Sequence, residues 1–264
     1  MKRIVLHLLF RSSVFALAVF AFAGCVTNPE TGRSQLLIVS ESQMTQLGLS
    51  SFNQMKKDVP ISRDANANAM VRRVGERIRS VVNLPNAQWE FVVFESKEAN
   101  AFCLPGGKIG VYSGILSITK DDAGLAAVMG HEVAHATLQH GRERVSQGMA
   151  AGLIGQAGSA IVDAKDPSWT STFGQFYGIG AQVGVLLPNS RGQEAEADKQ
   201  GLVYMVRAGY DPEAAVQFWE RFAEYGARAG GAPPKFLSTH PPSAERIANL
   251  KKWIPEVKAA AQRR

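Results

Sequence analysis

Two histidines four residues apart, with a glutamate directly after the first, restrict this chain more than any other feature: His131-Glu132-Val133-Ala134-His135. On a helix, residues at that spacing lie ~40° apart around the axis and ~6 Å apart along it, so both imidazoles leave one face. Two ring nitrogens so placed can reach a single zinc ion at ~2.0–2.1 Å each. Glu132 falls beside the first imidazole, where a carboxylate can take a proton from an attacking water and hand it to a leaving amine. The stretch predicts a helix carrying half of a metal centre, and the third ligand decides which kind.

That ligand is not close by. A metzincin-type site needs a glycine three residues after His135 and a histidine six after it, but the chain has Leu138 and Gly141 there. His140, five after His135, is ~140° round a continuous helix and is expected to face away from the metal. The distant run Gln193-Glu194-Ala195-Glu196-Ala197-Asp198 supplies acids on another helix. Glu194 and Asp198 share a face, whereas Glu196 is ~200° from Glu194 and points elsewhere. Glu194 is therefore the candidate third ligand, and Asp198 the candidate acceptor for the free N–H of a ligand histidine.

The first 24 of the 264 residues read as a removable export signal, which leaves 240 for one large domain. Met1 to Arg11 is basic, and Ser12 to Ala23 is apolar but short of the ~20 residues that a spanning helix needs. It ends in Phe22-Ala23-Gly24-Cys25, which resembles a bacterial lipobox. The resemblance implies cleavage before Cys25 and acylation of its thiol and amine, and Val26 in place of an aspartate implies sorting to the outer membrane. Several acyl chains anchor stably where one is marginal. Three of the 29 basic residues lie in the signal, so the remainder stand at 26 against 23 acids, too mild an excess for a nucleic-acid surface. Apolar residues at 45% and charged residues at 20% exclude a disordered chain, and two cysteines exclude a disulfide scaffold.

Asn28-Pro29 and Thr31-Gly32 make residues 26–40 read as a tether, so the chain divides into a signal (1–24), a lipid-anchored tether (25–45) and a catalytic domain (46–264). Helices are expected from Ser40 to about Lys57 and from Ser62 to Val82. Strands are expected at Trp89–Phe94, Ala99–Cys103 and Lys108–Tyr112, the last two joined by Pro105-Gly106-Gly107. Asp121 or Asp122 can cap the helix that leads into His131. Two charge-free stretches, Gly148–Val162 and Phe173–Leu187, with glycines every four residues, predict a tightly packed helical hairpin. Further helices are expected from Gln193 to Arg207, after Asp211-Pro212-Glu213, and from Ser243.

His131-Glu132-Val133-Ala134-His135, followed by Asn189 to Asp198, resembles the gluzincin peptidases grouped with the HtpX heat-shock protease and the CAAX prenyl protease. The match is closest to their soluble, outer-membrane lipoprotein branch (LoiP- and BepA-like). It extends to Asn100-Ala101-Phe102, to Leu104-Pro105-Gly106-Gly107 and to His240-Pro241, over roughly residues 64 to 250. The resemblance implies a mainly helical α+β fold with a zincin-type active-site helix. It also implies one Zn²⁺ per chain on His131, His135 and Glu194, with Glu132 as base. Asn100, Ala101 and Phe102 would form the edge strand on which an extended polypeptide lies. His240 would either donate to the oxyanion or fill the open zinc position. The expected protein is a zinc endopeptidase acting on misfolded envelope polypeptides from the periplasmic face of the outer membrane. The alternative is a zinc-stabilised chaperone or scaffold that does not cut. No nucleic-acid partner is expected.

Overall fold

The computed structural model describes residues 25–160, 189–228, 235–241 and 243–262. The export signal and the second half of the expected hairpin lie outside the described residues.

Residues 26–40, expected to run free as a tether, are folded against the body. Strand β1 (Cys25–Thr27) pairs antiparallel with β2 (Ser34–Leu36). Asn28 and Gln35 are buried, and both donate side-chain N–H to the carbonyl of Leu138. The backbone N–H groups of Ile38 and Val39 donate to Ser146 Oγ. The turn residues Asn28-Pro29 and Thr31-Gly32 close a hairpin here, with Gly32 at φ +70°.

Helix α1 (Glu41–Asp58) starts behind Ser40, whose hydroxyl accepts from Gln43 N while the Gln43 side chain accepts from Ser40 N. That reciprocal cap fixes its first turn. Helix α2 (Ala65–Arg79) is capped by Asp64, whose side chain accepts from Asn66 N and Ala67 N. It begins later than the expected Ser62, because Ser62 N donates to Val93 O and ties that segment to the sheet. Strands β3 (Glu90–Phe94), β4 (Ala101–Leu104) and β5 (Lys108–Tyr112) form a sheet in the order β3-β5-β4, with β3 parallel and β4 antiparallel to β5. Gly106 and Gly107 make the β4–β5 turn at φ +85° and +80°, a conformation cheap only for glycine.

Strand alternation sorts the sheet's two faces. Val92, Phe94, Phe102, Leu104 and Tyr112 pack against Phe52 of α1. Val93, Ala101, Ile109 and Val111 join the main core with α2. Gly110 lies in the middle of β5 because Phe102 and Phe94 occupy the space above it. A Cβ there would sit 2.2 Å from Phe102 Cζ and 2.8 Å from Phe94 Cε2. Gly110→Ala should cost ~1–3 kcal/mol through overpacking, read as a lower urea midpoint with an unchanged slope.

After the short helix α3 (Ser113–Thr119), Asp121 accepts from Gly124 N and starts α4 (Asp122–Thr137). From Gly124 to His135 every residue of α4 is buried, so it is the central rod of the domain. It ends at Leu138, and Gln139 turns the chain at φ +58° before α5 (His140–Ala160). Ser190 and Gln193 form a second reciprocal cap that starts α6 (Arg191–Arg207), and Gly209, at φ +75°, stops it. Helices α7 (Glu213–Arg228), α8 (Lys235–Thr239) and α9 (Ala244–Gln262) follow. None of the helices described is long and apolar enough to cross a membrane.

Gly130 of α4 and Gly201 of α6 let these two helices touch backbone to backbone. A Cβ at Gly201 would lie 3.1 Å from His131 N. This contact brings the acids of α6 opposite the histidines of α4. The architecture is mainly helical α+β, as the sequence predicts.

Candidate metal centre

His131 and His135 project from one face of α4, and their Nε2 atoms are 3.0 Å apart. Glu194, on the first turn of α6, places Oε1 at 3.2 Å from His135 Nε2 and Oε2 at 3.5 Å from His131 Nε2. His240, which follows α8, puts Nδ1 at 3.2 Å from His131 Nε2 and 3.0 Å from Glu194 Oε1. All four residues are buried, and one donor atom from each falls within 4.8 Å of the others.

This donor set fits a zinc ion. Atoms held ~2.0–2.1 Å from a tetrahedral centre stand ~3.3–3.4 Å from one another. Among His131 Nε2, His135 Nε2, His240 Nδ1 and Glu194 Oε1, four separations run from 3.0 to 3.2 Å. Glu194 Oε2 is buried and receives no aligned hydrogen bond among the described residues. Two imidazoles, a carboxylate and a third imidazole are ligands zinc takes readily.

Asp198, one turn beyond Glu194, sits with Oδ1 at 2.9 Å from His131 Nδ1, the role that its spacing predicts. Sequence reasoning missed what holds Asp198. Arg246 grips it twice, with Nε at 2.6 Å from Oδ2 and Nη2 at 2.7 Å from Oδ1. Its Nη1 also lies 2.8 Å from Glu194 Oε2, and its guanidinium stacks 3.5 Å over the Trp219 ring. One clue was legible: Arg246 falls in the first turn of α9, where the helix dipole disfavours a cation.

Burial is the largest influence on these groups, and the charged neighbours decide where it is overruled. Burial alone would depress His131, but Glu194 and Asp198 outweigh it and raise its pKa to about 9. Burial drives His135 well below the imidazole range. It works against charge on Glu194 too, but His240, Arg246 and His131 keep that carboxyl well below its usual range. Glu132, beside the cluster, has Oε1 at 3.4 Å from His240 Nε2, and burial lifts its pKa. Cys103, on β4, is half-buried, and burial likewise pushes its thiol up.

His140 is not among the four donors, but it does not face away from them as the continuous-helix geometry predicts. The break at Leu138–Gln139 folds it back, so that its Nδ1 meets His135 Nδ1 at 2.8 Å. Glu196 points away from the cluster and meets the other ring nitrogen of His140. Among the described residues β4 is the edge of its sheet, pairing with β5 alone. Asn100 and Phe102 line a cleft of about 220 Å³ whose other walls include Met44, Leu47, Glu132 and His240. Asn100, Ala101 and Phe102 are therefore brought to the same cleft as His135 and His240.

Residues 65–254 match peptidase family M48. The chain is 39% identical over 186 residues to the mitochondrial metalloendopeptidase OMA1 of Schizosaccharomyces pombe, covering 70% of this chain and 52% of that one. It is 30% identical to human OMA1 over 255 residues, 90% of this chain and 47% of the relative. The β-barrel assembly-enhancing protease of Escherichia coli K12 is 28% identical over 235 residues, 85% of this chain and 46% of its own. The chain thus spans about half the length of these relatives.

Proposed function

The chain belongs to peptidase family M48, and on that footing we propose that it is a zinc-dependent endopeptidase cutting extended polypeptide. The observation that carries this reading is one cleft lined by His135 and His240 of the four-donor cluster, by Glu132, and by Asn100 and β4, which among the described residues pairs with β5 alone. His131, His135 and Glu194 are the residues that would hold zinc. Bound there, zinc would supply Lewis acidity to the scissile carbonyl and lower the pKa of a water to ~7.

The chain's own residues do the rest. Asp198 accepts from His131 Nδ1 and keeps Nε2 turned to the metal position. Glu132 takes the proton of the attacking water and delivers it to the departing amine. β4 offers main-chain N–H and C=O groups to a substrate strand laid along Asn100, Ala101 and Phe102. His240 offers a fourth donor beside those three, so with zinc bound it would close the open position. Of its two roles, this geometry supports the blocking one over oxyanion donation.

The setting we propose is the bacterial envelope. Cys25 would carry the lipid anchor at the outer membrane, residues 46–264 would form the catalytic domain, and misfolded envelope polypeptides would be the substrates. The lipobox-like Phe22-Ala23-Gly24-Cys25 and the likeness to an assembly-enhancing protease support it. Purified protein should carry one zinc per chain and cleave an unfolded polypeptide such as reduced casein. Chelation should abolish cleavage, and one equivalent of zinc should restore it. Stoichiometric zinc without cleavage would leave the scaffold reading in its place; no zinc would overturn both.

A further inference from the structure

We propose that His140, Glu196 and Arg33 are positioning residues for His135, forming a chain that aims this ligand from the N-terminal hairpin. The inference rests on the reading of His131, His135 and Glu194 as a zinc site. His135 Nδ1 lies 2.8 Å from His140 Nδ1, and His140 Nε2 lies 2.9 Å from Glu196 Oε2. Arg33 Nε donates to Glu196 Oε1 at 2.8 Å. The other two nitrogens of its guanidinium donate to Glu143 at 2.6 and 2.7 Å, and Glu143 also accepts from Gln193 at 2.9 Å. His140 is wholly buried.

Proton bookkeeping makes the chain directional. A metal on His135 Nε2 requires the ring proton on Nδ1, which then donates to His140 Nδ1. His140 must therefore carry its own proton on Nε2, and that proton meets the Glu196 carboxylate. Glu196 is in turn oriented by Arg33. Each atom has one consistent role, and the ligand ring is held in the tautomer that zinc needs.

The arrangement repeats the plan on the other ligand. His131 is backed by Asp198, and Asp198 by Arg246; here an imidazole is inserted and the terminal arginine comes from the opposite end of the chain. An ion pair that merely fastened the hairpin would be complete with Arg33, Glu143 and Glu196, and would need no imidazole against the back of a ligand. Arg33 lies outside the family-matched residues 65–254.

The test is zinc affinity of the full chain, measured by competition with a chromogenic chelator, together with the visible spectrum of the Co²⁺-substituted protein. His140→Phe should weaken zinc binding ~10–100-fold, as loss of partners behind a ligand histidine does. Arg33→Met should weaken it in the same direction and shift the cobalt bands. His140→Gln, whose carbonyl can accept from His135 while its amide donates to Glu196, should recover most of the loss. Arg228→Met, which breaks only an exposed ion pair with Glu224, should match wild type. Equal zinc affinity in wild type, His140→Phe and Arg33→Met overturns the inference while leaving the metal site intact. So does a His140→Gln variant as weak as His140→Phe. Should His140→Phe fail to fold, the partly exposed Arg33 decides alone. Wild-type protein that binds no zinc overturns the inference and the metal reading together.

Discussion

Glu132→Gln should lower turnover ~10²–10⁴-fold, the usual worth of a positioned proton-transfer group, while the protein keeps its zinc. Glutamine matches glutamate in volume but cannot take a proton, and Glu132 is not among the four donors grouped at the centre. Its Oε1 is buried and receives no aligned hydrogen bond among the described residues, so the substitution removes none at that atom. Metal content and thermal midpoint should therefore stay near wild type as cleavage of an unfolded substrate collapses. A variant retaining more than a tenth of wild-type turnover would remove Glu132 from the chemistry. Parallel loss of zinc would make it a ligand instead.

Replacing Arg246 should be the most damaging change to stability. Its guanidinium is 6% exposed and neutralises two buried carboxylates, Asp198 and Glu194. Removing one member of a buried charge cluster leaves the others uncompensated, at ~3–5 kcal/mol. Arg246→Met should therefore lower the thermal midpoint by roughly 10 °C in a chain of this size. The deficit should also depend on pH. In wild type, burial opposes charge on Asp198, yet Arg246 and His131 hold its pKa below the usual range. That stabilisation is present above the unfolded-state pKa and fades as the pH falls through the folded one. Without Arg246, only His131 still opposes burial and the Asp198 pKa rises, so the variant loses most near neutrality and less in acid. Denaturant titrations at pH 4 and pH 7 that show the same gap would count against this account.

What was legible in the sequence follows a physical division. Helical spacing placed His131, His135, Glu194 and Asp198, because four-residue offsets on rigid helices translate directly into shared faces. It also separated Glu196 from Glu194 correctly. Turn and cap residues marked the sheet and most helix starts, including Asp121 and the Pro105-Gly106-Gly107 turn. Partners brought in by tertiary folding carry no such period, so Arg246, 48 residues beyond Asp198, left only a cation misplaced in a first turn. Arg33 was hidden by the reading of residues 26–40 as a tether. The composition there is turn-rich, and its buried contacts are made by polar side chains, Asn28, Gln35 and Arg33, that no apolar pattern reveals. The left-handed Gln139 was equally invisible, although it decides where His140 points.

β1 begins at Cys25, and the hairpin is fastened to α5 and α6 only eight residues later. On the proposed acylation, no leash would separate the lipid from the body. The cleft would work at a fixed altitude above the bilayer, with its mouth held at one inclination. Such a mooring would select victims by geometry as well as by chemistry, since only chains emerging within that narrow zone could thread the groove.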